Sequence, residues 1–175
     1  QEKNVLFLLE VARRAVTRRP SVKLVLIGKG ELAGKLQEQS ENMGIWVTAV
    51  EIVEDFIDHV PEYYAAAKLL VSPSISESFG KAVVKASYMR LPVVAIRNLG
   101  TMTTVVDKKT GYLVERGDTE GFVKKVLYLL EHEDRRVAMG EKGKKFVTKE
   151  FDYYTNLLAI PEAWRKCVRQ GKGRG

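Results

Sequence analysis

Residues 69–96 read LLVSPSISESFGKAVVKASYMRLPVVAI, and this stretch decides the fold. Leu69 to Val71 is an apolar run too short for a helix and stopped at Pro73, the pattern of a buried strand. From Lys81 the apolar residues Ala82, Val83, Ala86 and Met89 share one helical face, and Pro92 ends the helix. Val93 to Ile96 is a second buried strand. Strand, Ser/Gly loop, helix and strand make a βαβ unit. In such a unit the loop lies at the carboxyl end of the first strand, and the helix N-terminus points into the crevice where ligands bind.

The charges in this loop oppose the helix that it opens. Lys81 falls in the first turn, where a cation works against the macrodipole at a cost of about 0.3–1 kcal/mol. Lys85, one turn on, adds a like-charge pair. An anionic ligand would offset both; two solvated lysines on an exposed face account for the pattern equally well.

A chain of 175 residues is one domain, or one half of a two-domain protein, with a core large enough to need no staples. A single cysteine, Cys167, excludes an internal disulfide and fits a reducing compartment. No apolar run reaches bilayer length and the opening QEKN is unlike a signal peptide, so a soluble, cytoplasmic protein is expected. The net charge of +7 favours anionic partners: nucleotides, nucleic acid or an acidic membrane surface. Arg165, Lys166, Arg169, Lys172 and Arg174 supply much of it, in a tail (165–175) whose Gly-rich end is expected to be disordered. Aromatics do not interleave this tail beyond Trp164 at its edge, and it carries no nucleic-acid motif. No nucleic-acid partner is therefore expected, while peripheral membrane contact stays open.

Outward from the central unit, helices and strands alternate. Val5, Leu8, Leu9, Ala12, Ala15 and Val16 keep helical spacing up to Pro20. The chain thus opens on a helix, where a parallel α/β domain places a strand first, so the natural domain's first strand is expected ahead of Gln1. Val22 to Ile27 reads as a strand ending in Gly28-Lys29-Gly30, either a ligand-approach turn or a plain strand-to-helix turn. Leu32, Leu36 and Met43 mark a weaker helix closed by Gly44. Trp46 to Val53 alternates as an edge-region strand, with Trp46 expected in packing. Asp58, His59 and Pro61 open a short helix through Ala67.

Beyond Ile96, residues 97–104 (RNLGTMTT) read as a third polar loop at a strand end. Tyr112 to Val114 makes a short strand. Asp118 or Thr119 then caps a helix bearing Phe122, Val126, Leu127 and Leu130, and Asp134 caps another through Val147. A last helix from Tyr153 is interrupted at Pro161. His59 and His132 lack partners at metal-ligand spacing and read as surface residues, so no metal is expected. The class is a doubly wound, Rossmann-like parallel α/β sheet.

Four segments in order, EKNVLFLLEVARR, VKLVLIGKGEL, YYAAAKLLVSPSISESFGKAVVKASYMRLPVVA and TGYLVERGD, resemble the C-terminal half of glycosyltransferase family 4, the glycosyl transferases group 1. The resemblance covers nearly the whole chain. It implies the donor-binding half of a GT-B fold: a retaining glycosyltransferase that moves a hexose from a nucleotide diphosphate sugar, without a cofactor. The acceptor site would lie in an N-terminal half absent from this sequence, so this domain alone is expected to be inactive. By position, Lys3 is similar to the family lysine that contacts the diphosphate, and its usual arginine partner would stand ahead of Gln1. Gly28, Lys29, Ser78, Phe79, Gly80, Lys81 and Ala82 fall where the family cradles the diphosphate and sugar. Glu77 resembles the first glutamate of the paired-glutamate motif, which accepts from sugar hydroxyls; helix capping is its other reading. Ile52, Val53 and Lys85 fall in the nucleoside region.

Lys85 also marks a departure, since it replaces the second glutamate. An ammonium has only donors, where a carboxylate accepts from both ribose hydroxyls. The family's Gly-Gly-x-Pro-Glu pattern is similar to Gly100-Thr101-Met102-Thr103-Thr104, which lacks its second glycine, its proline and its glutamate. These departures support an alternative, a glycosyltransferase-like partner or regulatory subunit without catalysis. A sugar-phosphate epimerase of similar architecture is disfavoured by the lack of a loop histidine.

Overall fold

The structure, a computed structural model, describes residues 3–28, 30–53 and 60–152. Lys29, Asp58, His59, the expected helix from Tyr153 with its interruption at Pro161, and the basic tail 165–175 lie outside the described residues.

In chain order the elements are α1 (Leu6–Arg18), β1 (Leu24–Ile27), α2 (Ala33–Asn42), β2 (Val50–Val53), α3 (Val60–Ala66), β3 (Leu70–Ser72), α4 (Lys81–Tyr88), β4 (Val93–Ile96), α5 (Leu99–Thr104), β5 (Gly111–Val114), α6 (Thr119–Glu131) and α7 (Glu133–Glu150). All named strand pairs are parallel: β1 with β2, and β4 between β3 and β5. Parallel neighbours need crossover connections, which the helices supply. The α/β class expected from the sequence is thus observed, with its strands in two hydrogen-bonded ladders, β1-β2 and β3-β4-β5.

β4 shows why the fold is layered. Successive side chains of a strand point to opposite faces. Val94 and Ile96 enter the main core with Leu8 and Val11 of α1 and Phe122, Val123 and Leu129 of α6. Val93 and Ala95 enter a second cluster with Val83 of α4 and Val105. Helices therefore cover both faces of β4, and all four of its residues are buried. Leu24 and Leu26 of β1 pack against the same main core as Leu69 and Val71, so both ladders share one interior.

Several sequence expectations are corrected. The alternating run from Trp46 is a strand only from Val50, because Val47 adopts φ 62° and the amides of Thr48 and Ala49 bond back to Trp46 and Ile45 in a turn. Trp46 packs on the α1–α2 cluster, as its packing reading required. Residues 99–104 are a helical turn and a half, not a loop. His132, not Asp134, occupies the N-cap of α7; Asp134 lies in its first turn, where a carboxylate still favours the dipole. Asp118 caps α6 as expected, its side chain accepting from the amide of Gly121 at 2.8 Å. Among the described residues no helix is long and apolar enough to cross a membrane.

Candidate functional site at the carboxyl end of strand 3

β3 ends at Ser72, and the chain needs eight residues to turn into α4 at Lys81. The last of these, Gly80, takes φ 69° and ψ 52°, a left-handed conformation that side chains resist. It delivers the chain into α4 with no side-chain cap and no acid in the first turn. The helix N-terminus therefore keeps its unpaired amides and partial positive charge aimed away from the helix body. Gly80 is buried while Ser78 and Phe79 are exposed, so the turn offers its outer face to solvent.

A pocket of about 420 Å³ opens over this turn, lined by Lys3, Glu77, Ser78, Phe79, Gly80, Lys81 and Ala82. Lys3 stands across from Glu77, with its Nζ 3.4 Å from Oε1. The pair is uneven: the Glu77 side chain is 19 % exposed and that of Lys3 72 %. An exposed ammonium is easily drawn to another anion, and the half-buried carboxylate is the better-fixed partner. The Phe79 ring is held from the side by Phe151, edge to face at 5.1 Å. Among the described residues no carboxylate lies within 4 Å of Lys81 or Lys85. The pocket thus combines two cations, a helix N-terminus and one carboxylate acceptor, an arrangement fitted to a ligand with an anionic part and a hydroxyl-bearing part.

Of the candidate residues, Lys3 and the run Glu77 to Ala82 come together in one place. The Glu77 side chain pairs with Lys3 instead of capping α4, whose N-cap position is Gly80. Gly28 and Val53 meet each other at the carboxyl end of the first ladder, where the Gly28 amide donates to the Val53 carbonyl at 3.0 Å. They do not line the pocket, nor does Ile52, which packs on the α1–α2 cluster. Lys85 is exposed one turn along α4 and outside the lining. His132 is exposed and stacks on Tyr128 at 4.3 Å, as a surface residue. Among the described residues no group of three or more His, Cys, Asp or Glu could hold a metal ion.

Sequence reasoning missed α5. Its N-cap Asn98 accepts from the Thr101 amide at 3.0 Å, and the Thr101 hydroxyl accepts from the Asn98 amide at 2.9 Å, a closed capping box. Asn98 followed three residues later by Thr101 was the available signal, in a segment too short for periodicity to show.

The fold and this corner define a class: a Rossmann-like α/β domain with a pocket over a strand-to-helix turn. Residues 1–146 match the family described as glycosyl transferases group 1, and the chain belongs to that family. It is 26% identical over 174 residues to the capsular polysaccharide biosynthesis glycosyltransferase CapM of Staphylococcus aureus, covering 99% of this chain and 46% of CapM. To an uncharacterized glycosyltransferase of Methanocaldococcus jannaschii it is 31% identical over 138 residues, 77% of this chain and 36% of that protein. The chain thus spans less than half the length of these relatives. Among solved structures, S. aureus TarM in complex with fondaparinux, alpha-GlcNAc-glycerol and UDP superposes with a TM-score of 0.86 at 23% identity, covering 93% of this chain and 33% of TarM. The C-terminal domain of LpcC, a group 1 family protein of Francisella tularensis, superposes with a TM-score of 0.76 at 22% identity, covering 87% of this chain and 81% of that domain. These structures share its GT-B-type fold.

Proposed function

We propose that this chain is the donor-binding half of a retaining glycosyltransferase that transfers a hexose from a nucleotide diphosphate sugar to an acceptor held by a separate N-terminal half. The observation that carries the reading is the pocket itself, where Lys3 and Lys81 flank the α4 N-terminus and Glu77 stands among them. Family membership and the UDP held by TarM support it.

In the proposed reaction the sugar–phosphate bond breaks and negative charge builds on the departing diphosphate. Lys3, Lys81 and the first-turn amides of α4 lower the energy of that charge, and a site already oriented gains most because nothing need reorganise. Lys29 is assigned to the same task by its position in the sequence. Glu77 gives up Lys3 and accepts hydrogen bonds from hydroxyls of the sugar, fixing the anomeric carbon toward the acceptor. No metal is invoked, since lysines and amides carry the charge. The acceptor half lies outside this sequence, so the domain binds donor without turning it over. A cytoplasmic location, with the basic tail touching an acidic membrane, completes the reading.

A panel of nucleoside diphosphates and their sugars tests it by thermal shift. Ligand at a hundred times its dissociation constant adds about 2.7 kcal/mol, which at this size raises the melting point by roughly 5–11 °C. A base-selective shift supports a working donor site; no shift at several millimolar contradicts it.

A second reading, a non-catalytic partner or regulatory subunit, is favoured by Lys85 standing where the family pattern has its second glutamate. Lys85→Glu separates the two. If Lys85 is an adapted phosphate contact of a working site, nucleotide affinity falls in the variant; if the site has decayed, affinity rises.

A further inference from the structure

The segment that departs most from the family pattern, residues 100–104, is joined to the pocket turn at several points. The Gly100 amide donates to the Glu77 carbonyl at 2.8 Å. A Cβ built on Gly100 would stand 2.9 Å from both the Glu77 carbonyl carbon and the Phe79 amide nitrogen, so backbone packs on backbone with no room for a methyl. At the other end of α5, the Thr104 hydroxyl would lie 3.2 Å from a Cβ on Gly80, and it donates to the Gly100 carbonyl at 2.9 Å. Asn98 Nδ2 donates to the Ser74 carbonyl at 2.8 Å, just past the end of β3, and the Thr101 hydroxyl donates to the Ile96 carbonyl at 2.8 Å, at the end of β4. Gly100, Thr101 and Thr104 are all buried.

We propose that α5 is a positioning element for the pocket, with Asn98, Gly100, Thr101 and Thr104 fixing the Glu77–Gly80 turn to the ends of β3 and β4 before ligand arrives. The proposal rests on the donor-site reading of that pocket. None of these residues lines the pocket; they act through Glu77 and the backbone of Phe79 and Gly80. The Thr101–Thr104 departures then do not mark a decayed site. A threonine at 101 closes the capping box and ties it to β4, and a threonine at 104 fills the space behind Gly80, so the turn is held by hydrogen bonds the chain has kept satisfied.

Asn98→Asp tests this, because aspartate still caps α5 through the Thr101 amide but cannot donate to Ser74. A purely structural cap predicts wild-type behaviour. The positioning role predicts, in the unliganded chain, amide exchange at Ser78, Phe79 and Gly80 about tenfold faster with β4 and β5 unchanged, the scale of one lost buried hydrogen bond. Affinity for UDP-hexoses falls by a similar factor and that for UDP alone falls less, since Glu77 reads the sugar. Asn98→Ala, which loses cap and tether together, shows the same exchange pattern with a lower melting point. If the wild type binds a nucleotide diphosphate sugar and Asn98→Asp leaves exchange and affinity unchanged, the α5 role is overturned while the donor reading stands. If the wild type binds none of them, the donor reading fails and the α5 role fails with it.

Discussion

The glycine-bearing turns at the carboxyl ends of β1 and β3 are built differently. At the end of β1, Gly28 adopts φ 144°, yet a Cβ there or on Gly30 would meet nothing within 4 Å. At the end of β3, Gly80 and Gly100 are both packed, against Thr104 and against the backbone of Glu77 and Phe79. The first turn uses glycine for its own backbone only. The second uses it to let elements touch, and that is where the pocket lies.

The largest expected effect falls on the packed turn. Gly100→Ala forces the Glu77 carbonyl and the Phe79 amide apart, a strain of about 1–3 kcal/mol of the overpacking kind. Thermal or urea unfolding should show that loss, together with UDP-hexose binding weakened by an order of magnitude or more. An unchanged midpoint would mean the two turns do not differ as described. Next comes Asn98→Ala, which removes a capping side chain and should lower stability by about 1 kcal/mol, read from the urea midpoint at constant slope.

How much of this contrast could be read beforehand depended on the kind of signal. β4 was legible to the residue, because four consecutive apolar residues after Pro92 have no other use. The run Glu77 to Ala82 was legible as a turn opening a helix. Lys3 lies 74 residues from Glu77 in the chain, and only the family resemblance, not periodicity, suggested that they meet. α5 was hard to read because its six residues carry no period, Leu99 and Met102 being apolar yet exposed, and its buried threonines are spent on caps and tethers that a linear reading cannot see. The turn at Val47 was hidden by a chance alternation. Lys85 was placed in the nucleoside region by motif position, and the described pocket stops one turn short of it.

Gly30→Ala, where the added methyl meets open space, should leave stability unchanged or raise it by about 0.4–1 kcal/mol through the unfolded chain. A loss beyond 1 kcal/mol in thermal unfolding would show that this turn too is packed. The smallest effect lies in α1, where hydrogen bonds from Arg13 and Arg14 hold the pKa of the Glu10 carboxyl at about 2, down from an ordinary 4.5. A carboxylate favoured in the folded state contributes fully above pH 4.5, and that contribution disappears as the pH falls toward 2. The pair is largely solvated, so the amount is about 0.2–1 kcal/mol, and Glu10→Gln should flatten that part of the stability curve.

Amide chemical-shift mapping of the wild-type chain with UDP-hexoses and other nucleoside diphosphate sugars decides whether the packed turn is the donor site. Donor binding there gives saturable shifts concentrated on Lys3 and on Glu77 through Val83, with β5 and α6 unmoved. Saturable shifts that avoid the Glu77–Val83 segment, or none with any of these ligands at several millimolar, would contradict it.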